Sequence, residues 1–256
     1  MNRRGTGLVE AVVAAALTAL LVLSALGALS SLQRSTGRFA ARALSDQVIR
    51  GATQLFRSEL RDLSPRAGEI LSITPASITY RAVRGTGIAC GVAGGKLQVI
   101  AGTWAPLRQP AGGRDSLVVL GQPADTEMVV AALGSATAGF CLDGVASVSL
   151  PYGVQLPDPA SVARFPSPVL LSEVMEIRGY QSGGEWWVGV RSVSAGEVIQ
   201  PAHGPITLNG LRVVGFDSTG AVTAIPSRVS HLLLVLNVPS GDSAEVHLDL
   251  SSGALR

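Results

Sequence analysis

Gly5-Thr6-Gly7-Leu8-Val9-Glu10 leads into the most uneven stretch of the chain: a glycine, a carboxylate five positions later, then 22 residues (11–32) without a charge. As a helix, 22 residues at 1.5 Å each would span about 33 Å, against a hydrocarbon core of about 30 Å. Ala and Leu dominate the stretch and proline is absent, so helix is the expected conformation. A lone acid at the mouth of an apolar span is costly in lipid, which makes Glu10 a candidate functional residue. Arg3, Arg4 and the initiator amine precede the span and favour an N-terminus held in the cytoplasm, with the bulk of the chain exported. Arg34, Arg38 and Arg42 follow the span and weaken that bias, but a large domain translocates largely regardless of charge.

The helical pattern continues past the span. Leu44, Val48, Ala52, Leu55, Phe56, Leu60 and Leu63 recur at three- and four-residue spacing, while Arg42, Asp46, Arg50, Arg57, Glu59, Arg61 and Asp62 fill the other faces. Gly51 interrupts the pattern weakly, and Ser64-Pro65 is expected to end it, because the residue before a proline is driven out of the helical region. One helix over 6–64 is expected, apolar all round at first and then amphipathic, with its apolar stripe packed on a domain.

From residue 69 the periodicity changes to short strand-like runs: 69–73, 77–83, 96–101, 116–120, 127–133, 145–150, 169–180, 185–193, 210–217, 221–224, 229–238 and 244–250. Gln181-Ser182-Gly183-Gly184 and Asp217-Ser218-Thr219-Gly220 read as hairpin turns. The fold class expected is α+β, a long N-terminal helix packed on a β-rich antiparallel head. The proline-rich stretch 151–168 is a candidate divider of the exported part (65–256) into two lobes.

Composition excludes several functions. Net charge is +2, the basic residues are scattered arginines apart from Lys96, and no basic stripe interleaves with aromatics, so nucleic-acid binding is not expected. Cys90 and Cys141 form a candidate disulfide if the head leaves the cytoplasm; two buried thiols are the alternative. His203, His231 and His247 show no ligand spacing, so neither metal nor cofactor is expected. Gly241-Asp242-Ser243-Ala244 echoes a serine-protease motif without its last glycine and reads as a turn between strands. No phosphate loop or dinucleotide fingerprint occurs, and an enzyme is not expected. His247 and Asp249 alternate onto one solvated face, and Trp186-Trp187 puts one ring on each face of a strand.

The opening motif resembles the class III signal peptide of type IV pilins and type II secretion pseudopilins. The resemblance implies a leader, 1–5, removed by a prepilin peptidase that cuts after Gly5 and methylates the new amine of Thr6. Leu8 and Val9 match the apolar pair, and Glu10 matches the acid that in this family pairs with the N-terminal amine of a neighbouring subunit. Thr6 stands where phenylalanine is usual, Gly7 stands where threonine is common, and only Gly27 lies near the mid-helix proline of many major pilins. More weakly, Ile78-Thr79-Tyr80-Arg81, the hairpin with Tyr180, Trp186, Trp187 and Arg191, the turn Gly215-Phe216-Asp217-Ser218-Thr219-Gly220 and the apolar run 229–238 resemble large minor pilins and J-type pseudopilins. The implied role is assembly or priming of a filament from the inner membrane, with other pilins or pseudopilins as partners. Two alternatives stand beside it: a secreted β-rich binding domain released at an ordinary signal-peptidase site near Ala25-Leu26-Gly27, and a membrane-anchored hydrolase with no visible site.

Overall fold

A computed structural model describes residues 6–64, 68–120, 127–132, 134–153 and 165–250. The chain divides into two compact units, Met1–Gln47 and Val48–Arg256. One helix, α1 (Thr6–Leu60), supplies all the described structure of the first unit and begins the second.

In the first unit the described residues of 9–44 are exposed, Leu44 included. The apolar part is long and apolar enough to cross a membrane. Three of its hydroxyls bond to the helix's own carbonyls: Thr18 Oγ1 donates to the Ala14 carbonyl (2.7 Å), Ser24 Oγ to Leu21 (2.8 Å) and Ser30 Oγ to Gly27 (2.9 Å). That back-bonding removes the polar cost these side chains would carry in hydrocarbon.

In the second unit, Val48, Ala52, Phe56 and Leu60 enter the head core on one helical face. Each of the three larger side chains contributes about 2 kcal/mol by burial. The helix ends at Leu60, short of the expected 64, with Arg57 in its last turn, where a cation offsets the negative end of the dipole. Leu63 still reaches the core from the turn that follows.

Among the described residues the head has fourteen strands: β1 (Ile70–Thr74), β2 (Ser77–Ala93), β3 (Lys96–Ile100), β4 (Ala105–Pro106), β5 (Asp115–Leu120), β6 (Glu127–Ala131), β7 (Thr137–Phe140), β8 (Ala146–Pro151), β9 (Ser167–Ser182), β10 (Glu185–Ser192), β11 (Gln200–Ile206), β12 (Leu211–Phe216), β13 (His231–Asn237) and β14 (Ser243–Asp249). One sheet runs β11-β10-β9-β2-β3-β8-β7, with β1 and β4 on β2, β5 on β9 and β6 on β5; a second is β12-β13-β14. The pairings are antiparallel, and the long pair β2–β9 (Ser77↔Arg178 to Ala89↔Ser167) is the spine.

Two hydrophobic clusters lie along this spine. The first holds the helix face, Ile78, Tyr80, Ile177, Val188 and the inner face of the second sheet, including Leu211, Leu232 and Leu234. The second holds Leu97, Val99, Leu117, Leu150, Val169 and Leu171. Most of the stretch expected to divide the head, 151–168, lies outside the described residues (154–164); among the described residues the two clusters are separated across β2 and β9 and share one sheet.

Several strand boundaries also differ from expectation. β2 continues ten residues past 83, through Gly85, Gly87 and Gly91. These glycines read locally as punctuation, but a Cβ at Gly85 would lie 2.8 Å from Pro106 Cα and one at Gly87 would lie 2.6 Å from Val99 Cγ1. Close approach, not a break, explains Gly85 and Gly87; a Cβ at Gly91 would meet open space. β11 was hidden by Pro201 and Pro205 and is an edge strand, where proline is tolerated. β7 was missed, and 221–224 is no strand but a single bridge, Phe216↔Val222. The β9–β10 hairpin turns at Gly183 and Gly184, both at positive φ (61° and 85°), as expected.

Candidate functional site

The residues proposed from the opening motif occupy the start of α1. Gly5 lies outside the described residues, Thr6 is the first helical residue, and Glu10 is exposed. Glu10 is the sole charge between residues 6 and 33. The structure therefore presents a helix with one carboxylate near its N-terminus, backed by side chains that offer no competing charge. A carboxylate must be paired wherever it is held in an apolar setting.

The second concentration of chemistry was invisible in the sequence. Three arginines and four carboxylates form a network at the seam between the two clusters. Asp115 opens β5 and is fully buried (side chain 0% exposed); Glu173 in β9 is nearly so (2%). Arg108 grips Asp115 with both terminal nitrogens at 2.6 Å and reaches Glu173 Oε2 at 3.1 Å. Arg114 Nε donates to Glu173 Oε1 at 2.5 Å, and its Nη1 lies 3.1 Å from Glu197. Arg84 is the extra residue of a bulge between Val83 and Gly85, and bulges re-aim side chains. It reaches Glu173 Oε2 (3.3 Å) and Glu59 Oε2 of α1 (3.4 Å), and Tyr80 OH donates to the same Glu59 oxygen at 2.9 Å.

Burial pushes the Glu173 carboxyl up, but bonds from Ser192, Arg108 and Arg114 outweigh it and hold the group below the usual carboxylate range. Burial and the neighbouring Glu59 push the Tyr80 phenol far above its ordinary value. Burial opposes the charge on Arg84, yet Glu59 and Glu173 hold it more firmly protonated than usual. The network thus locks helix, spine and two loops in one charge state. Its members are engaged with one another, so its chemistry is that of a structural clamp.

Cys90 and Cys141 are joined in a disulfide with Cα atoms 5.8 Å apart. Cys90 lies in β2 and Cys141 follows β7, with β3 and β8 between them in the sheet. Across three flat inter-strand gaps they would be about 14 Å apart. The sheet therefore curls, and the bridge fastens its far edge back to the spine. On the concave side, Gln98 Oε1 accepts from Ser147 Oγ (2.8 Å) and Ser149 Oγ (2.7 Å), all three residues buried. A Cβ at Gly139 would collide with Ser149 Oγ and stand 2.7 Å from Gln98 Oε1, so a larger residue there would displace this hydrogen-bonded group.

The remaining candidates are dispersed. Trp186 packs against the first cluster, while Trp187 lies over Gly204 and donates its Nε1–H to the Ser182 carbonyl (3.3 Å). Gly241-Asp242-Ser243 is the turn between β13 and β14, closed by Val238 N–H to the Asp242 carbonyl at 3.1 Å. His247 and Asp249 do share the solvated face of β14, and strand register brings His231 beside them, which linear spacing could not reveal. Among the described residues no group of three or more His, Cys, Asp and Glu is placed to hold a metal ion. The chain matches no protein-family model, and neither a curated protein nor a solved structure matches it significantly.

Proposed function

We propose that this chain is a minor pilin or pseudopilin: a non-enzymatic subunit of a type IV pilus or type II secretion filament that acts in assembly or priming. The observation that carries the reading is the placement of Gly5, Thr6 and Glu10 immediately before the charge-free stretch of a 55-residue helix. In this reading a prepilin peptidase cuts after Gly5 and methylates Thr6. The helix rests in the inner membrane with its N-terminus cytoplasmic, and the head lies outside. On entering a filament of parallel helices, Glu10 pairs with the amine of a neighbour's first residue. A head of 48–256 is bulky for every position of a tight helical array, which favours a low-abundance priming or tip-proximal subunit over the main repeat. The disulfide supports an oxidising compartment for the head.

N-terminal sequencing and intact mass of the protein from cells with and without a prepilin peptidase test the proposal. The expected mature chain begins at Thr6 and carries one methyl group, and it is absent without the peptidase. A start near Ala28, independent of that peptidase, would overturn it.

A further inference from the structure

We propose that His231 and His247 form a two-histidine site for a divalent transition-metal ion, of the borderline class that imidazole favours, on the outer face of the three-stranded sheet. The site follows from alternation. β13 turns Leu232, Leu234 and Leu236 into the core and β14 turns Val246 and Leu248 the same way. His231, Glu245, His247 and Asp249 therefore stand on the opposite face. The register His231↔Asp249 and Leu233↔His247 makes the two histidines diagonal neighbours.

The geometry separates the four ring nitrogens into an outer pair and an inner pair. On the outside, His231 Nδ1 lies 2.8 Å from Asp249 Oδ1, and a carboxylate is only an acceptor, so that nitrogen is the N–H. In a neutral imidazole His231 Nε2 then carries the lone pair. It faces His247 Nδ1 at 3.2 Å, within hydrogen-bond distance, so the two inner nitrogens share one proton. The Glu245 carboxylate stands 3.6 Å from His247 Nε2, beyond hydrogen-bond distance, and leaves the His247 ring free to present Nδ1 as a second lone pair. A metal ion takes the place of the shared proton without moving either ring far. Two nitrogens each about 2.0–2.1 Å from one tetrahedral metal ion stand roughly 3.3 Å apart, close to the observed separation. The carboxylate behind a ligating histidine is the usual arrangement for fixing tautomer and ring orientation. Phe216 packs on His231 with ring centroids 5.9 Å apart and steadies that ring. The His247 side chain is 58% exposed, so an ion has access and water can fill the remaining positions. Imidazole nitrogen selects Zn²⁺, Cu²⁺ and Ni²⁺ over Ca²⁺ and Mg²⁺.

Calorimetric titration of the full chain in detergent with zinc chloride tests the site, with magnesium chloride as the contrasting ion. One saturable Zn²⁺ per chain and no Mg²⁺ binding are expected. His231→Gln and His247→Gln should each abolish saturable Zn²⁺ binding, while Asp249→Asn should weaken it about ten- to a hundredfold. His203→Gln should leave it unchanged. In the unmodified chain, side-chain nitrogen NMR should show Zn²⁺ shifting His231 and His247 together, which keeps the test independent of how the variants fold. Absence of saturable Zn²⁺ binding, meaning the inner nitrogens share only a proton, would overturn the proposal. So would binding that survives loss of either histidine, or shifts confined to His203.

Discussion

At the scale of single residues, the strongest commitments are the buried charges. Glu173 accepts from three arginines and sits almost wholly out of water. Removing one partner of such a set leaves the others uncompensated, so Glu173→Gln is expected to cost about 3–5 kcal/mol in denaturation measurements. The pH dependence gives a second signature. The folded carboxyl is held below the usual range, whereas the unfolded one titrates near 4.3. As pH falls the unfolded chain takes up its proton first. The group's stabilisation is therefore fully present above about pH 4.3 and is lost as pH drops through the lower folded value. A denaturation series between about pH 5 and pH 3 should fall more steeply for the native chain than for Glu173→Gln. Equal slopes would mean that the network does not hold this charge.

At the scale of elements, Gly51 shows how a residue that looks like a defect can be a fitting. It lies mid-helix, where glycine costs about 1 kcal/mol relative to alanine. A Cβ there would stand 2.5 Å from His203 Cε1 and Nδ1 of β11. Gly51→Ala is therefore expected to destabilise the native chain but to stabilise a His203→Ala background by up to about 1 kcal/mol. A double-mutant cycle read by thermal denaturation separates the two, and additive effects would refute the contact. Burial holds the His203 imidazole below its ordinary value, consistent with a ring lodged between helix and strand. The same kind of non-local fact limited what could be read in advance. The helix was legible because its period and its missing charges are properties of neighbours in sequence. So was the β9–β10 hairpin, from its paired glycines. β2 was truncated at Val83 because only the approach of Pro106 explains Gly85. β11 was lost because prolines argue against strands until the strand is known to be an edge. Arg84, Arg108, Asp115 and Glu173 are spread over 90 positions and carry no local pattern. The histidine pair depends on the β13–β14 register, which spacing along the chain does not report.

For the whole molecule, the question is why a chain with an apolar helix retains an acid at its mouth. A charged group near the centre of a span costs about 2.5–3.5 kcal/mol on insertion scales and less near the interface, so Glu10 opposes residence in lipid by a modest amount. Replacing it with alanine should leave membrane insertion intact or slightly favour it, since nothing else in 9–32 is charged. If Glu10 exists to pair with a neighbour's amine, the same change should remove the partner from a positive charge placed in the apolar interior of a filament. An unpaired buried charge costs several kcal/mol, enough to exclude a subunit that must compete for its place. Glu10→Ala is therefore expected to reach the membrane at native levels, to be processed after Gly5, and to fail to enter filaments. Fractionation reports the first, intact mass the second, and recovery of the chain in sheared filaments or in cross-linked complexes with its neighbours the third. Normal recovery in filaments would remove Glu10 from assembly. Loss at the membrane step would instead place its role in insertion, and the two outcomes are read from the same culture.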